Sequence, residues 1–138
     1  MQLTTSGHLR WMIRADLSKI LSYEKEVSEE MLIKDLRSPH CIGKILEIGE
    51  EVVGYMIYKL FPRNFQITRL VTHPSWRRCG VATRLITHLK SYKQAKRSTI
   101  VFLDVPEDCL DLHLFLRSQD FLCHQVTSAG YSFRWVRP

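Results

Sequence analysis

The stretch Val71-Thr72-His73-Pro74-Ser75-Trp76-Arg77-Arg78-Cys79-Gly80-Val81-Ala82-Thr83 concentrates residue types that bind anions. Gly80 has no Cβ, so main chain can approach a ligand closely there. A helix opening at Val81 would point free N–H groups and its positive dipole end at the same spot, which makes an anion site. Arg77 and Arg78 add charge-assisted donors matched to phosphate oxygens. The pattern is neither a P-loop nor a dinucleotide fingerprint, since Gly-x-x-x-x-Gly-Lys and Gly-x-Gly-x-x-Gly are both absent. Taken alone, one glycine beside two arginines is also how an ordinary helix start looks.

The thiols and imidazoles offer less. Cys41, Cys79, Cys109 and Cys123 are far apart and form no Cys-x-x-Cys pair, so free thiols are expected rather than a zinc site or a disulfide framework. The six histidines are scattered, and His113 with Cys123-His124 is the nearest thing to a cluster. No metal site and no Cys–His nucleophile are expected from such spacing. His73 and His113 stand as candidate bases, although a strand-end histidine before proline is more often structural.

Charge distribution favours the anion-binding reading. The chain carries a formal net charge of +6, but the excess is local. Residues 1–51 and 104–138 each balance at −2, whereas residues 52–103 hold ten bases and no acid. A block this one-sided points to an anionic partner, either a phosphorylated coenzyme or nucleic acid.

The elements that must position these residues alternate between strand and helix. Leu9–Arg14 reads as a strand, with Asp16 capping a helix that carries Leu17, Ile20 and Leu21 on one side. Ser28-Glu29-Glu30 opens a second helix, a capping serine followed by acids where the dipole favours them. Ile42–Ile48 and Val52–Phe61 read as a hairpin turning at Gly49-Glu50-Glu51, and Phe65–Thr72 as the strand before the basic segment. Val81, Leu85, Leu89 and Tyr92 recur at helical spacing. Ile100-Val101-Phe102-Leu103 is a continuous apolar run, the signature of a strand covered on both faces. Asp108–Ser118 reads as a fourth helix, with Phe121–Val126 and Tyr131–Val136 as closing strands. The expected fold is a single α/β domain over residues 1–138, a mixed α+β sheet of about seven strands with four helices on its faces.

Composition agrees with one folded domain. A chain of 138 residues that is 45% hydrophobic can bury a core. No apolar stretch approaches the roughly 18 residues of a membrane span. Arg10, Arg14 and Asp16 interrupt any leader-like hydrophobic region. A soluble cytoplasmic protein, monomeric or homodimeric, with residues 1–8 flexible, is the resulting expectation.

Arg77-Arg78-Cys79-Gly80-Val81-Ala82 resembles the Arg/Gln-x-x-Gly-x-Gly/Ala motif of the GNAT superfamily of acyl-CoA-dependent N-acyltransferases. The resemblance extends over nearly the whole chain. Ile13-Arg14 with Ala15-Asp16-Leu17 is similar to the opening strand and helix, and Val52-Val53-Gly54-Tyr55-Met56-Ile57 to the third strand. Leu70-Val71-Thr72-His73-Pro74 is similar to the bulged strand beside the acetyl thioester. The subgroup most similar is the ribosomal-protein N-terminal alanine acetyltransferases. Their Leu-Glu-Val-Arg-x-x-Asn stretch, with its later Leu-Tyr and Gly-Phe, aligns without gaps on Leu103 to Phe121.

What the resemblance implies is specific. Acetyl-CoA is the co-substrate, with Arg77, Arg78, Cys79, Gly80, Val81, Ala82 and Thr83 around its pyrophosphate. Leu70, Val71 and Thr72 line the pantetheine and acetyl group, and a backbone N–H near Val71 polarises the carbonyl. The family's glutamate, proposed as general base, falls on Asp104, one methylene shorter. Its coenzyme-contacting asparagine falls on Cys109, its tyrosine acid on Leu116 and its Gly-Phe glycine on Asp120. Asp104, at the end of a buried strand, would act through a water. Tyr131, Cys109 and Tyr92 are the other conceivable proton donors.

Three functions follow in order. The first is acetyl transfer to a primary amine, a protein N-terminal α-amine among the candidates, by direct attack in a ternary complex. The second is an acyl-CoA-binding or regulatory module that has lost efficient catalysis. The third is a nucleic-acid-binding domain using Trp76 and Tyr92 for stacking, which no helix-turn-helix, zinc-finger or RNP-like pattern supports.

Overall fold

In the computed structural model, which describes residues 7–92 and 98–138, seven strands form one sheet and four helices pack on it. The strands are β1 (His8–Trp11), β2 (Cys41–Ile48), β3 (Glu51–Leu60), β4 (Asn64–Thr72), β5 (Thr99–Val105), β6 (Leu122–Thr127) and β7 (Gly130–Val136). The helices are α1 (Asp16–Leu21), α2 (Glu29–Arg37), α3 (Val81–Lys90) and α4 (Leu110–Ser118). Strand order is β1-β2-β3-β4-β5-β7-β6, and every neighbouring pair is antiparallel except β4 with β5. One 3₁₀ turn, Pro74–Trp76, joins β4 to α3. Of the segment expected to be flexible, residues 1–6 lie outside the described residues, while His8 already pairs with Glu47 in β1.

Local chemistry explains most of these boundaries. Ser28 caps α2 by accepting the Met31 N–H at 3.2 Å. Asp16 does not cap α1 as expected; Ala15 holds that place. The Asp16 carboxylate instead accepts the Ile13 N–H at 2.8 Å and a two-pronged contact from Arg10, whose guanidinium also reaches Glu47. This network pins β1 to the start of α1.

Two apolar layers flank the sheet. On one face Leu46, Met56, Tyr58, Phe65 and Ile67 meet Val81, Leu85, Ile86 and Leu89 of α3, with Leu116 of α4. On the other, Ile45, Tyr55 and Ile57 meet Leu17, Ile20 and Leu32 of α1 and α2. Those two helices pack on β2 and β3, and among the described residues neither makes an extensive contact with β5, β7 or β6. For this reason β5 is covered on one side only: Ile100 and Phe102 are buried, whereas Leu103 is 36% exposed. The continuous apolar run therefore does not mark a strand buried on both faces. Among the described residues no helix is long and apolar enough to cross a membrane.

Candidate functional site

The parallel pair β4/β5 is joined only from Asn64–Ile67 against Thr99–Phe102. Beyond that point both strands continue, β4 to Thr72 and β5 to Val105, without pairing. The parting leaves one edge of β4 without a strand partner from Thr68 to Thr72, beside the sequence-predicted Leu70, Val71 and Thr72.

A bulge adjusts which side chains face which way. Ile57 opposes Arg69 and Tyr58 opposes Ile67, so Thr68 is an extra residue in β4, and its hydroxyl donates to the Ile57 carbonyl at 3.1 Å. An extra residue reverses the two-residue alternation. Leu70 therefore joins the α3-side core, while Arg69 and Val71 turn to the α1/α2 side. The bulge sits at Thr68, ahead of the Leu70–Thr72 stretch.

The predicted anion cradle takes shape at the end of β4. The His73 N–H donates to Val53, and its Nδ1 accepts the Ser75 N–H, so this imidazole caps the 3₁₀ turn. Arg78 and Gly80 both adopt left-handed backbone, with φ of 63° and 84°. Gly80 is the N-cap of α3 and supplies no side chain to the first-turn N–H groups. Those groups remain directed at the space beside Arg77 and Arg78, both exposed, and no acid stands in the first turn. Cys79 is half-buried, its thiol contacting the Arg77 carbonyl at 3.6 Å. Val81 is buried and anchors the helix start, whereas Ala82 and Thr83 lie nearer the surface.

Other bases of the acid-free block have different work. The Arg84 guanidinium donates to the Gly7 carbonyl at 3.1 Å, tying α3 to the beginning of β1. Lys90 is not merely solvated: its ammonium donates to the Gln119 carbonyl and faces the Phe121 and Trp135 rings. Lys93, Lys96 and Arg97 lie outside the described residues.

On the opposite bank, β5 carries a bulge of its own. Phe102 pairs with Phe133 and Val105 with Tyr131, leaving Leu103 and Asp104 opposite the single Ser132. Asp104 has φ of 54°, its N–H donates to the Ser132 hydroxyl at 3.3 Å, and its carboxylate accepts from Thr127 at 3.5 Å. Gly130 makes room for this bulge, since a Cβ there would stand 2.4 Å from the Val105 carbonyl oxygen. Asp104 is exposed, not set at the end of a buried strand.

The remaining candidates separate clearly. Cys109 is exposed at the N-cap of α4. Leu116, where the family's tyrosine falls, is fully buried in the α3-side core. His113 contacts the Pro106 carbonyl at 2.9 Å through Nε2 and packs edge-on against Tyr131 and Phe133. Tyr92 lies past the end of α3 against Phe65, with its hydroxyl 3.2 Å from His88 Nε2. Among the described residues no group of three or more His, Cys, Asp or Glu could hold a metal. Two open hollows of about 410 and 420 Å³ lie at the other end of β4 and β5, around Arg63 and Thr99, away from the parted ends.

Sequence reasoning passed over Arg69, Tyr55 and Tyr23. A usable signal exists: apolar positions step by two from Phe65 to Ile67, then by three to Leu70, as a bulge requires.

Solved structures share this fold. PaiA N-acetyltransferase from Thermoplasma acidophilum, solved with coenzyme A, matches with a TM-score of 0.81 at 14% identity, over 95% of this chain and 99% of that one. The ribosomal-protein-S18-alanine N-acetyltransferase from Escherichia coli matches with a TM-score of 0.78 at 14% identity, over 96% and 93%. At such identities the likeness is one of fold. No curated protein matches the sequence. The model of the acetyltransferase (GNAT) family matches residues 10–121, and the chain belongs to that family.

Proposed function

We propose that the protein moves the acetyl group of acetyl-CoA to a primary amine by direct attack in a ternary complex. The observation that carries this reading is the parting of β4 and β5 after Ile67 and Phe102, beside a left-handed Gly80 that leaves the α3 first turn uncapped. An uncapped, acid-free helix N-terminus flanked by Arg77 and Arg78 fits a pyrophosphate in charge and in backbone access. Cys79, Gly80, Val81, Ala82 and Thr83 complete that cradle. Leu70, Val71 and Thr72 offer an unpaired strand edge to the pantetheine arm, and Cys109 borders it from α4. The bound thioester supplies the activated acyl group.

The amine must arrive neutral, and an α-amine near pKa ~7.7–8.0 is substantially so at neutral pH, unlike a lysine near ~10.4. Asp104 takes up the proton through water, which suits an exposed carboxylate and a weakly demanding amine. With Leu116 in the core, no phenol on α4 serves the departing thiolate. A thiol with pKa ~8.5 leaves without strong help, and the deficit is of the order of 10²–10⁴-fold at most. The likeness to the ribosomal-protein alanine acetyltransferase favours an α-amine acceptor. Four free thiols fit a reducing cytoplasm.

The test is thermal stability with and without acetyl-CoA, then amine-dependent release of CoA. At ~100 times its dissociation constant the ligand should add ~2.7 kcal/mol. No stabilisation overturns the reading. Stabilisation without release on any amine selects the second reading, a coenzyme-binding module, which the burial of Leu116 favours.

A further inference from the structure

Two polar groups on the α1/α2 face of the sheet are left without a task by the coenzyme site. The Thr68 bulge turns Arg69 onto this face, where its Nε donates to the Tyr55 hydroxyl at 3.4 Å. Arg69 is half-buried, and among the described residues no carboxylate lies within 4.0 Å of it. Tyr23, in the α1–α2 connection, stacks on His73 at 4.6 Å. Its hydroxyl is the one buried side-chain polar atom among the described residues without a hydrogen-bond partner. Burial, ahead of the neighbouring Tyr55, Glu24 and Asp16, holds its phenol protonated well above the ordinary range.

The two groups are linked through Tyr55, which accepts from Arg69 and lies close enough to Tyr23 to act on it through space. Tyr55 opposes Val71, and Arg69 stands one turn of the pleat earlier on the same face, next to where β4 loses its partner. The coenzyme cradle and Leu70 belong to the opposite, α3-side face. A second substrate therefore meets the thioester from the face that holds Arg69 and Tyr23. Glu24 and Asp35 also lie close enough to Tyr55 to act on it through space. The face thus presents a guanidinium to an anion, with two acidic groups in the neighbourhood. An unmatched, partly desolvated guanidinium is suited to a two-pronged contact with a carboxylate, and a buried phenol without a partner is costly unless a ligand completes it.

Resting on the acetyltransferase reading, we infer that the acceptor is a small amino-carboxylate whose carboxylate is received by Arg69, with the Tyr23 hydroxyl completing the contact. An α-amino acid has this chemistry, its amine being more basic than a peptide N-terminus and so more dependent on Asp104; a polyamine or a plain alkylamine does not. Arg69 and Tyr23 are specificity residues under this assignment.

The experiment compares kcat/KM for a panel of α-amino acids, each beside its own carboxamide and its decarboxylated amine, in wild type, Arg69→Gln, Arg69→Lys and Tyr23→Phe. Wild type should favour the free acids roughly 10- to 100-fold, the range for one charge-assisted contact. Arg69→Gln should bring that ratio close to one through the acceptor KM, and Arg69→Lys should keep part of it. Tyr23→Phe should raise the acceptor KM several-fold while the melting temperature holds or rises, because an unpaired buried hydroxyl has been removed. Acetyl-CoA stabilisation should be equal in all four proteins. Amides or plain amines used as well as the acids, a preference that survives Arg69→Gln, or no turnover of any acid while acetyl-CoA still binds would each overturn the assignment. Loss of acetyl-CoA binding in wild type would instead strike the acetyltransferase reading.

Discussion

Gly54 of β3 and Val81 of α3 stand in direct contact through a missing side chain: a Cβ on Gly54 would lie 2.4 Å from Val81 Cγ1 and 2.9 Å from the Val71 carbonyl oxygen. The sheet gives up one side chain so that the first turn of α3 rests on it, directly behind Gly80. Gly54→Ala should therefore push the helix start outward, at a cost of about 1–3 kcal/mol typical of overpacking. Urea unfolding measures that loss. The same displacement should shrink the stabilisation given by acetyl-CoA, whereas a full ligand effect in the weakened variant would make the contact one of packing alone.

Arg77 is exposed and Arg78 holds left-handed backbone, so the two arginines respond differently to replacement. Arg77→Gln should leave folding stability unchanged and weaken acetyl-CoA roughly tenfold, more at low ionic strength. For Arg78→Gly, relief of left-handed strain (~1–2 kcal/mol) opposes the entropy of glycine (~0.5–1 kcal/mol). The folded protein should thus be at least as stable while coenzyme affinity falls. Calorimetric titration at two salt concentrations checks both.

Leu116→Tyr tests whether the family's phenol can simply be put back. The Leu116 side chain is fully buried among the α3-side core residues, so a larger polar side chain should cost about 1–3 kcal/mol and leave the rate of CoA release no higher. A faster enzyme would show that the phenol reaches the parted strands.

The Arg10–Asp16–Glu47 network predicts an acid limb of stability. Burial would raise the Asp16 carboxyl, but hydrogen bonds from Arg10 and the Ile13 N–H outweigh it and hold the group below its ordinary value. Arg10 holds Glu47 low as well. Carboxyls depressed on folding contribute fully above their unfolded values of about 4 and lose that contribution as pH falls through the folded ones. Asp16→Asn should be less stable at neutral pH and show a shallower decline below pH ~4, read from urea midpoints across pH. A slope equal to wild type would remove Asp16 from the acid response.

Readings that rest on neighbours in sequence match the structure closely. The Ser28 cap needs only a hydroxyl three residues before its N–H, and the 81, 85, 89 spacing defines α3 without reference to anything else. Gly80 is legible for the same reason, since a glycine before a helical run has few other uses there. What depends on distant packing was not legible. Whether Leu103 is covered depends on where α1 and α2 stop, and whether Leu116 faces a site or a core depends on how α4 rolls against α3. Asp104 was found by alignment, yet its exposure follows from a bulge fixed by Ser132 and Gly130, nearly thirty residues on. Arg69 stayed hidden because one extra residue, Thr68, decides which face it occupies.

The parting of β4 from β5 has a further consequence for the protein on its own. A strand paired with β3 to its end but without a partner on its β5 side from Thr68 onward is an open sheet border set inside the molecule instead of at its rim. Hydrogen exchange in the ligand-free protein should be slow up to Ile67 and, beyond it, fast for the amides that face the β5 side, these slowing when acetyl-CoA occupies the gap. The coenzyme then acts as a removable strand, and the empty enzyme is the form most exposed to pairing with the wrong chain.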